Sequence, residues 1–268
     1  MLKLMKYEIK SVWWLYVTSG ALVLAMAGIS RLLNLFLTDD PDTMVWRILP
    51  YSVSVGLAVF FIIASFVLAN VIPAVRFYQT VLKDQGYLTF TLPVGRSSVY
   101  FAKLLTGALG LLFTLVVAAG GVFIAFVGTK TADVVEVIAE IFSVIDFGEV
   151  VTGGQIVLFV ATVILALLQY LFGTNAVLFC SMCIGQLASG NKLLYSILSY
   201  VGISTAASAI SSFFSLISQA IFVGGLDENT AVWALDLTSF LQALPPVLIT
   251  VGCVITANII LKKHLNLE

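Results

Sequence analysis

The distribution of charge constrains the fold of this chain more than any other feature. Six stretches, 11–30, 48–75, 104–129, 150–191, 193–226 and 237–261, contain no Asp, Glu, Lys or Arg. Each is long enough for the roughly 20 apolar residues that carry a helix across a hydrocarbon core. The remaining composition agrees. Hydrophobic residues make up 60% of the 268 and charged residues 10%, against about 45–50% and about 25% in a soluble domain. Mean hydropathy is +1.10. A soluble fold of this size has too little interior to hide so many apolar side chains. A net charge of −1 also lacks the basic excess of a nucleic-acid binder. The expected fold class is an all-α integral membrane protein. One transmembrane domain covers 1–268, with spans near 12–30, 52–75, 104–127, 156–180, 194–217 and 245–262. Gly, Pro, Ser and Thr within these stretches are ordinary in membrane helices.

The charges between the stretches give an orientation. With six spans and the N-terminus inside, ten of thirteen cations fall on the cytoplasmic side, among them Lys3, Lys6, Lys10, Arg76, Lys83, Arg96, Lys103, Lys192, Lys262 and Lys263. The other side receives Arg31, Arg47 and Lys130 with eleven acids, including Asp39, Asp40, Asp42, Glu136, Glu140 and Asp227. That is the bias the positive-inside rule requires. The stretch 150–191 could hold two spans bent at Gly173-Thr174-Asn175, but a seventh span would move Lys192, Lys262 and Lys263 outside. Six spans with both termini cytoplasmic is the expectation. Leu2 to Lys10 reads as an amphipathic cytoplasmic helix running into span one. The apolar run after it is longer than a signal-peptide h-region of about 7–15 residues. On the outer side, Asp133 and Glu136 resemble a capping box, which predicts an amphipathic helix within 129–155. Pro245-Pro246 suits a first helical turn, so span six is expected to start there, with Leu237 to Ala243 a separate re-entrant or interfacial piece.

The connection between spans two and three, 76–97, is unusual for a cytoplasmic connector. Phe77, Tyr78, Tyr87 and Phe90 are interleaved with Arg76, Lys83 and Arg96. Gly86 can stop a helix, and Pro93 with Gly95 marks a turn. Aromatics and Arg are enriched at protein interfaces, and aromatics also form belts at the headgroup level. The residues alone support both readings equally.

Several chemistries are missing. The nearest approach to a phosphate-binding GxxxxGK[ST] loop is Gly185 to Lys192, with its Lys one place late, Leu193 in place of Ser/Thr and a membrane helix before it. Thr152-Gly153-Gly154-Gln155 faintly echoes an ABC signature but falls on the outer side. Cys180 and Cys183 form a CxxC with Cys253 elsewhere, and the only His is His264. A structural zinc needs four such ligands, so the cysteines read as buried small apolar residues. The expectation is no enzyme, no metal and no cofactor in this chain.

The run Asp84-Gln85-Gly86-Tyr87-Leu88-Thr89-Phe90-Thr91-Leu92-Pro93-Val94 closely resembles a stretch found between spans two and three in six-span permease subunits of type-2 ABC transporters from Firmicutes. Ile184-Gly185-Gln186-Leu187-Ala188-Ser189, followed by Asn191-Lys192-Leu193-Leu194, is similar to that family at its span-four to span-five turn. Lys6 to Glu8 adds a weaker likeness. The family usually has a second acid where Gln85 stands here. The resemblance implies a cytoplasmic coupling helix that lies in a groove of a separate ATPase subunit and passes its closing motion to the spans. Carried over, the docking residues are Phe77, Tyr78, Leu82, Asp84, Gln85, Gly86 and Tyr87, oriented by Arg76 and Lys83. It implies partners too: the ABC ATPase, which binds ATP and Mg²⁺, and a second permease subunit, identical or homologous, in the lipid of a bacterial plasma membrane.

Polar residues within the spans are the remaining candidates. Ser204, Ser208, Ser211, Ser215 and Ser218 recur at steps of 4, 3, 4 and 3 in span five, which aligns them on one helix side. Asn70 and Asn175 are the amides nearest the inner ends of spans two and four. Small and hydroxylated residues let membrane helices pack closely, which is the favoured reading; the alternative is that they line a path for an amphipathic substrate. Spans without charge lack the usual residues of ion or proton coupling, which disfavours a secondary transporter. The functional expectation is a permease subunit exporting an amphipathic substrate. The alternative is a membrane binding, immunity or sensor-partner protein that transports nothing.

Overall fold

The computed structural model of the protein describes residues 2–35, 44–83, 86, 95–126, 153–188, 190–222 and 228–263. Seven α-helices account for almost all of them, and no strand occurs among the described residues. They are α1 (Leu2–Leu35), α2 (Met44–Phe77), α3 (Arg96–Phe126), α4 (Gly153–Leu168), α5 (Thr174–Gly185), α6 (Lys192–Phe222) and α7 (Glu228–Lys263). A π-helical turn, Tyr78–Leu82, extends α2, and a second one, Gln169–Gly173, joins α4 to α5. Among the described residues, six helical stretches are long and apolar enough to cross a bilayer: Leu4–Leu33, Leu49–Leu82, Arg96–Ala125, Val157–Gly185, Lys192–Ser218 and Leu237–Lys262. The chain is a multi-pass membrane protein, with one such helix in each uncharged stretch. Large side chains point outward along them, including Phe60, Ile63, Val116, Phe213 and Leu216. Outside a membrane that surface would be unsupportable.

The N-terminal segment is continuous with span one, because α1 runs unbroken from Leu2. Within 150–191 the described residues hold one candidate span, Val157–Gly185, with the π turn Gln169–Gly173 inside it. The expected start of span six at Pro245-Pro246 is corrected: α7 passes straight through both prolines. Each proline removes one backbone donor, yet a membrane helix tolerates this because neighbouring hydroxyls and helices re-satisfy the freed groups. The outer amphipathic segment lies outside the described residues up to 152, and its last residues, 153–155, already belong to α4.

The chain divides into two compact units, one of Lys6–Ile72 and Leu109–Asp146, the other of Met1–Met5, Pro73–Ala108 and Phe147–Glu268. In the first, one face of α1 carries the buried residues Val12, Tyr16, Val23 and Ala27. It meets α3 at glycines: Tyr16 covers Gly110, Val117 and Phe113 lie over Gly20, and Val23 lies against Gly121. A Cβ on Gly110 would collide with the Tyr16 ring, so the close approach depends on that glycine. Contact numbers rise together on both helices, so α1 and α3 run parallel, as two spans separated by one crossing must.

In the second unit, contacts fix directions in the same way. Ser199 Oγ donates to Ser181 O at 2.8 Å, and Gly185 abuts the Ser196 backbone, so α5 and α6 are antiparallel. Arg96 Nη1 donates to Leu261 O at 3.1 Å and to Lys262 O at 3.0 Å. A cation on the last carbonyls of a helix satisfies orphan acceptors and complements the helix dipole. It also places the start of α3 and the end of α7 at one end of this unit.

Candidate functional site

The site is built around the end of span two. Phe77 is fully buried and stacks on Phe179 of α5, with ring centroids 4.3 Å apart and an interplanar angle of 9°. Tyr100 of α3 closes the group edge-on, 6.1 Å from each ring. Aromatic pairs of this geometry add about 0.5–1.5 kcal/mol each beyond the area they bury. Val81, Leu82, Val99 and Leu104 continue the cluster, and Ala257, Ile260 and Leu261 of α7 complete it. Three spans are thus joined to the root of the 76–83 segment.

The π turn that follows decides which side chains face out. Widening the helix by one residue per turn places Phe77, Val81 and Leu82 in the core, while Tyr78 is half-buried and Gln79 and Lys83 are exposed. Thr80 Oγ1 donates to Arg76 O at 2.5 Å, which satisfies a carbonyl at the transition. The helix ends at Lys83, whose backbone is extended, and Gly86 N–H donates to Lys83 O at 2.7 Å. Of the residues expected to dock a partner, Phe77 and Leu82 therefore present no surface: they hold the segment in place. Gly86 is buried and Arg76 half-buried. Asp84, Gln85 and Tyr87 lie outside the described residues.

Beside the segment lies a cavity of about 410 Å³, lined by Val75, Tyr78, Gln79 and Lys83, by Leu178, Ser181 and Met182 of α5, and by Leu193, Ser196, Ile197 and Tyr200 of α6. Ser196, one of these lining residues, is also where α6 closely approaches α5: a Cβ on Gly185 would strike its backbone atoms. The wall hydroxyls spend their protons on their own helices: Ser181 Oγ donates to Leu178 O at 2.7 Å, and Ser196 Oγ to Lys192 O at 2.8 Å. The interior is accordingly apolar with a cationic, aromatic rim. Periodicity did not distinguish these wall residues, because a groove and a lipid-facing surface use the same apolar side chains. Tyr100 and Phe179 were missed for the same reason; their one signal is that each is an aromatic near a span end.

The polar residues within the spans occupy different settings. Asn70, in the first unit, donates from Nδ2 to Phe66 O at 2.9 Å. Asn175 is fully buried, with its amide 3.0 Å from where a Cβ on Gly107 would stand. Its Nδ2 donates to Leu171 O at 3.3 Å, inside the π turn, and its Oδ1 has no hydrogen-bond partner among the described residues. One turn earlier, Gln169 folds over Gly173, and Gln169 Oε1 lies 2.7 Å from Thr250 Oγ1 of α7. The Thr250 hydroxyl also lies 2.9 Å from Pro246 O, so one proton serves two acceptors at the proline pair. The serine stripe lies on α6: Ser204, Ser211 and Ser215 are part-buried and Ser208 is exposed. Ser204 donates to Val201 O at 3.0 Å and Ser208 to Thr205 O at 2.9 Å. At its far end Gln242 Nε2 donates to Ser218 Oγ at 3.1 Å, which is a packing contact with α7.

Lys103, counted by sequence among the cytoplasmic-side cations, is 5% exposed and lies inside α3, so a basic side chain is buried among the helices. Cys180, Cys183 and Cys253 are free and buried in the cluster around Phe77, as core residues are. Comparison with protein-family models, with characterised proteins and with solved structures finds no match for this chain.

Proposed function

We propose that this chain is the membrane-spanning permease subunit of a bacterial ABC transporter, seated in the plasma membrane and exporting an amphipathic substrate. It supplies the path and the surface that a separate ATPase grips, and ATP and Mg²⁺ bind in that other subunit. A second permease, identical or homologous, completes the transporter. The observation supporting this reading is the construction of the 76–83 segment. Its exposed side carries Tyr78, Gln79 and Lys83, while its buried side is the Phe77–Phe179–Tyr100 group. A close-packed interior transmits strain with little slack, so a pull on the outer side reaches α3 and α5 through Phe77. The sequence likeness over 84–94 and 184–194 points the same way.

The test is whether a neighbouring gene encodes an ABC ATPase that co-purifies with this chain, followed by vanadate-sensitive transport in vesicles. Tyr78→Ala and Tyr87→Ala are expected to weaken ATPase binding and abolish coupled transport while the chain still inserts. Unchanged binding and transport in both variants would overturn the docking assignment. A wild-type chain that never binds an ATPase would favour the non-transporting membrane protein instead.

A further inference from the structure

We propose that the groove between the end of span two, α5 and α6 binds an anionic phospholipid, whose acyl chain lies on Leu178, Met182, Leu193 and Ile197 and whose phosphate is held by Lys83. The inference goes beyond the transporter reading and does not require it. The first argument is chemical. The groove walls are apolar, and the protons of Ser181 and Ser196 are already donated to Leu178 O and Lys192 O. A sugar or a peptide backbone laid on the Leu178, Met182, Leu193 and Ile197 side of the groove would lose its hydrogen bonds to water without replacement there, which costs roughly 1–3 kcal/mol per group. An acyl chain loses nothing.

The second argument is position. Val75, Leu193 and Ile197 are exposed on the outer surface of their helices, so the groove opens where lipid tails lie. Lys83 closes one end, immediately after the last residue of the Leu49–Leu82 span, and Lys192 opens the Lys192–Ser218 span one turn before Ser196. Both ammonium groups therefore stand at headgroup level on one side of the membrane. Arg76, Lys83 and Lys192 outnumber Asp84, the one acid in these segments, and basic pockets between span ends are where anionic headgroups bind. Tyr78, Gln79 and Tyr200 add hydrogen-bonding groups at the same rim. The third argument is size. A cavity of about 410 Å³ falls within the roughly 300–1,000 Å³ of small-ligand sites and takes a chain more readily than a helix about 10–12 Å across.

The experiment uses the full chain in a mild detergent, with native mass spectrometry after addition of dioleoyl phosphatidylglycerol or dioleoyl phosphatidylcholine. Wild-type protein is expected to retain the glycerol lipid several-fold more than the choline lipid. Lys83→Gln should erase that preference, and Ile197→Trp, which fills the groove from an exposed position, should lower retention of both lipids. Equal retention of the two lipids by the wild type, an unaltered preference in Lys83→Gln, or unaltered retention in Ile197→Trp would overturn the proposal. So would a wild-type dimer that Ile197→Trp dissociates, since a second copy would then occupy the groove. No ATPase enters the measurement, so its failure is separable from failure of the coupling assignment.

Discussion

Phe77 shows how one side chain can change meaning between sequence and structure. In the sequence it is the first of four aromatics in a connector and reads as part of a docking surface. In the fold it is fully buried between Phe179 and Tyr100, and the neighbouring Tyr78 takes the surface position. The two should respond differently to truncation. Phe77→Ala removes a core ring and is expected to destabilise the protein by about 3–5 kcal/mol, read as a lowered melting temperature in detergent. Tyr78→Ala should shift that temperature little, because the ring is only half-buried. A Phe77→Ala protein that melts like the wild type would remove the ring group as the root of the segment.

At the scale of elements, glycines and π turns set how the spans meet. Gly185 lets α5 approach the backbone of α6, whereas a Cβ at Gly202, also on α6, meets nothing within 4 Å. Gly185→Ala is therefore expected to cost about 1–3 kcal/mol as an overpacking change. Gly202→Ala should stabilise by about 0.5–1 kcal/mol through lower backbone entropy. Thermal melts of the two variants, moving in opposite directions, check the assignment; parallel shifts would contradict it. The π turn at Gln169–Gly173 answers a different demand. It lets Gln169 fold over Gly173 toward Thr250, next to a helix whose own bonding is interrupted at Pro245-Pro246. Two irregular segments thus share one polar contact, and Thr174 and Asn175 donate to the π turn's carbonyls at Tyr170 O and Leu171 O.

At the scale of the whole molecule, orientation is the property on which the transporter reading depends. Cys180, Cys183 and Cys253 are buried, so a thiol introduced at the exposed Gln79 is the one that a polar reagent meets. Gln79→Cys is expected to escape an impermeant maleimide in intact cells and to react in inverted vesicles. The reverse pattern would put the 76–83 segment on the outer side, beyond the reach of any cytoplasmic ATPase.

The six bilayer-length helices among the described residues were legible in the sequence because removing charge from so long a stretch leaves the chain few alternatives. A helix satisfies every backbone group internally, and hydrocarbon penalises anything else. The course of α7 through Pro245-Pro246 was not legible, because local proline rules describe helices in water and not helices whose neighbours supply the missing bonds. The groove and the ring group were hidden for a related reason. In lipid, the same apolar side chains serve equally well outside or inside, and residues as far apart as Phe77, Tyr100 and Phe179 acquire a shared role only when their helices pack. Composition determined that this protein lives in a membrane; packing between helices alone decided which aromatics anchor the segment after span two and which are left on its surface.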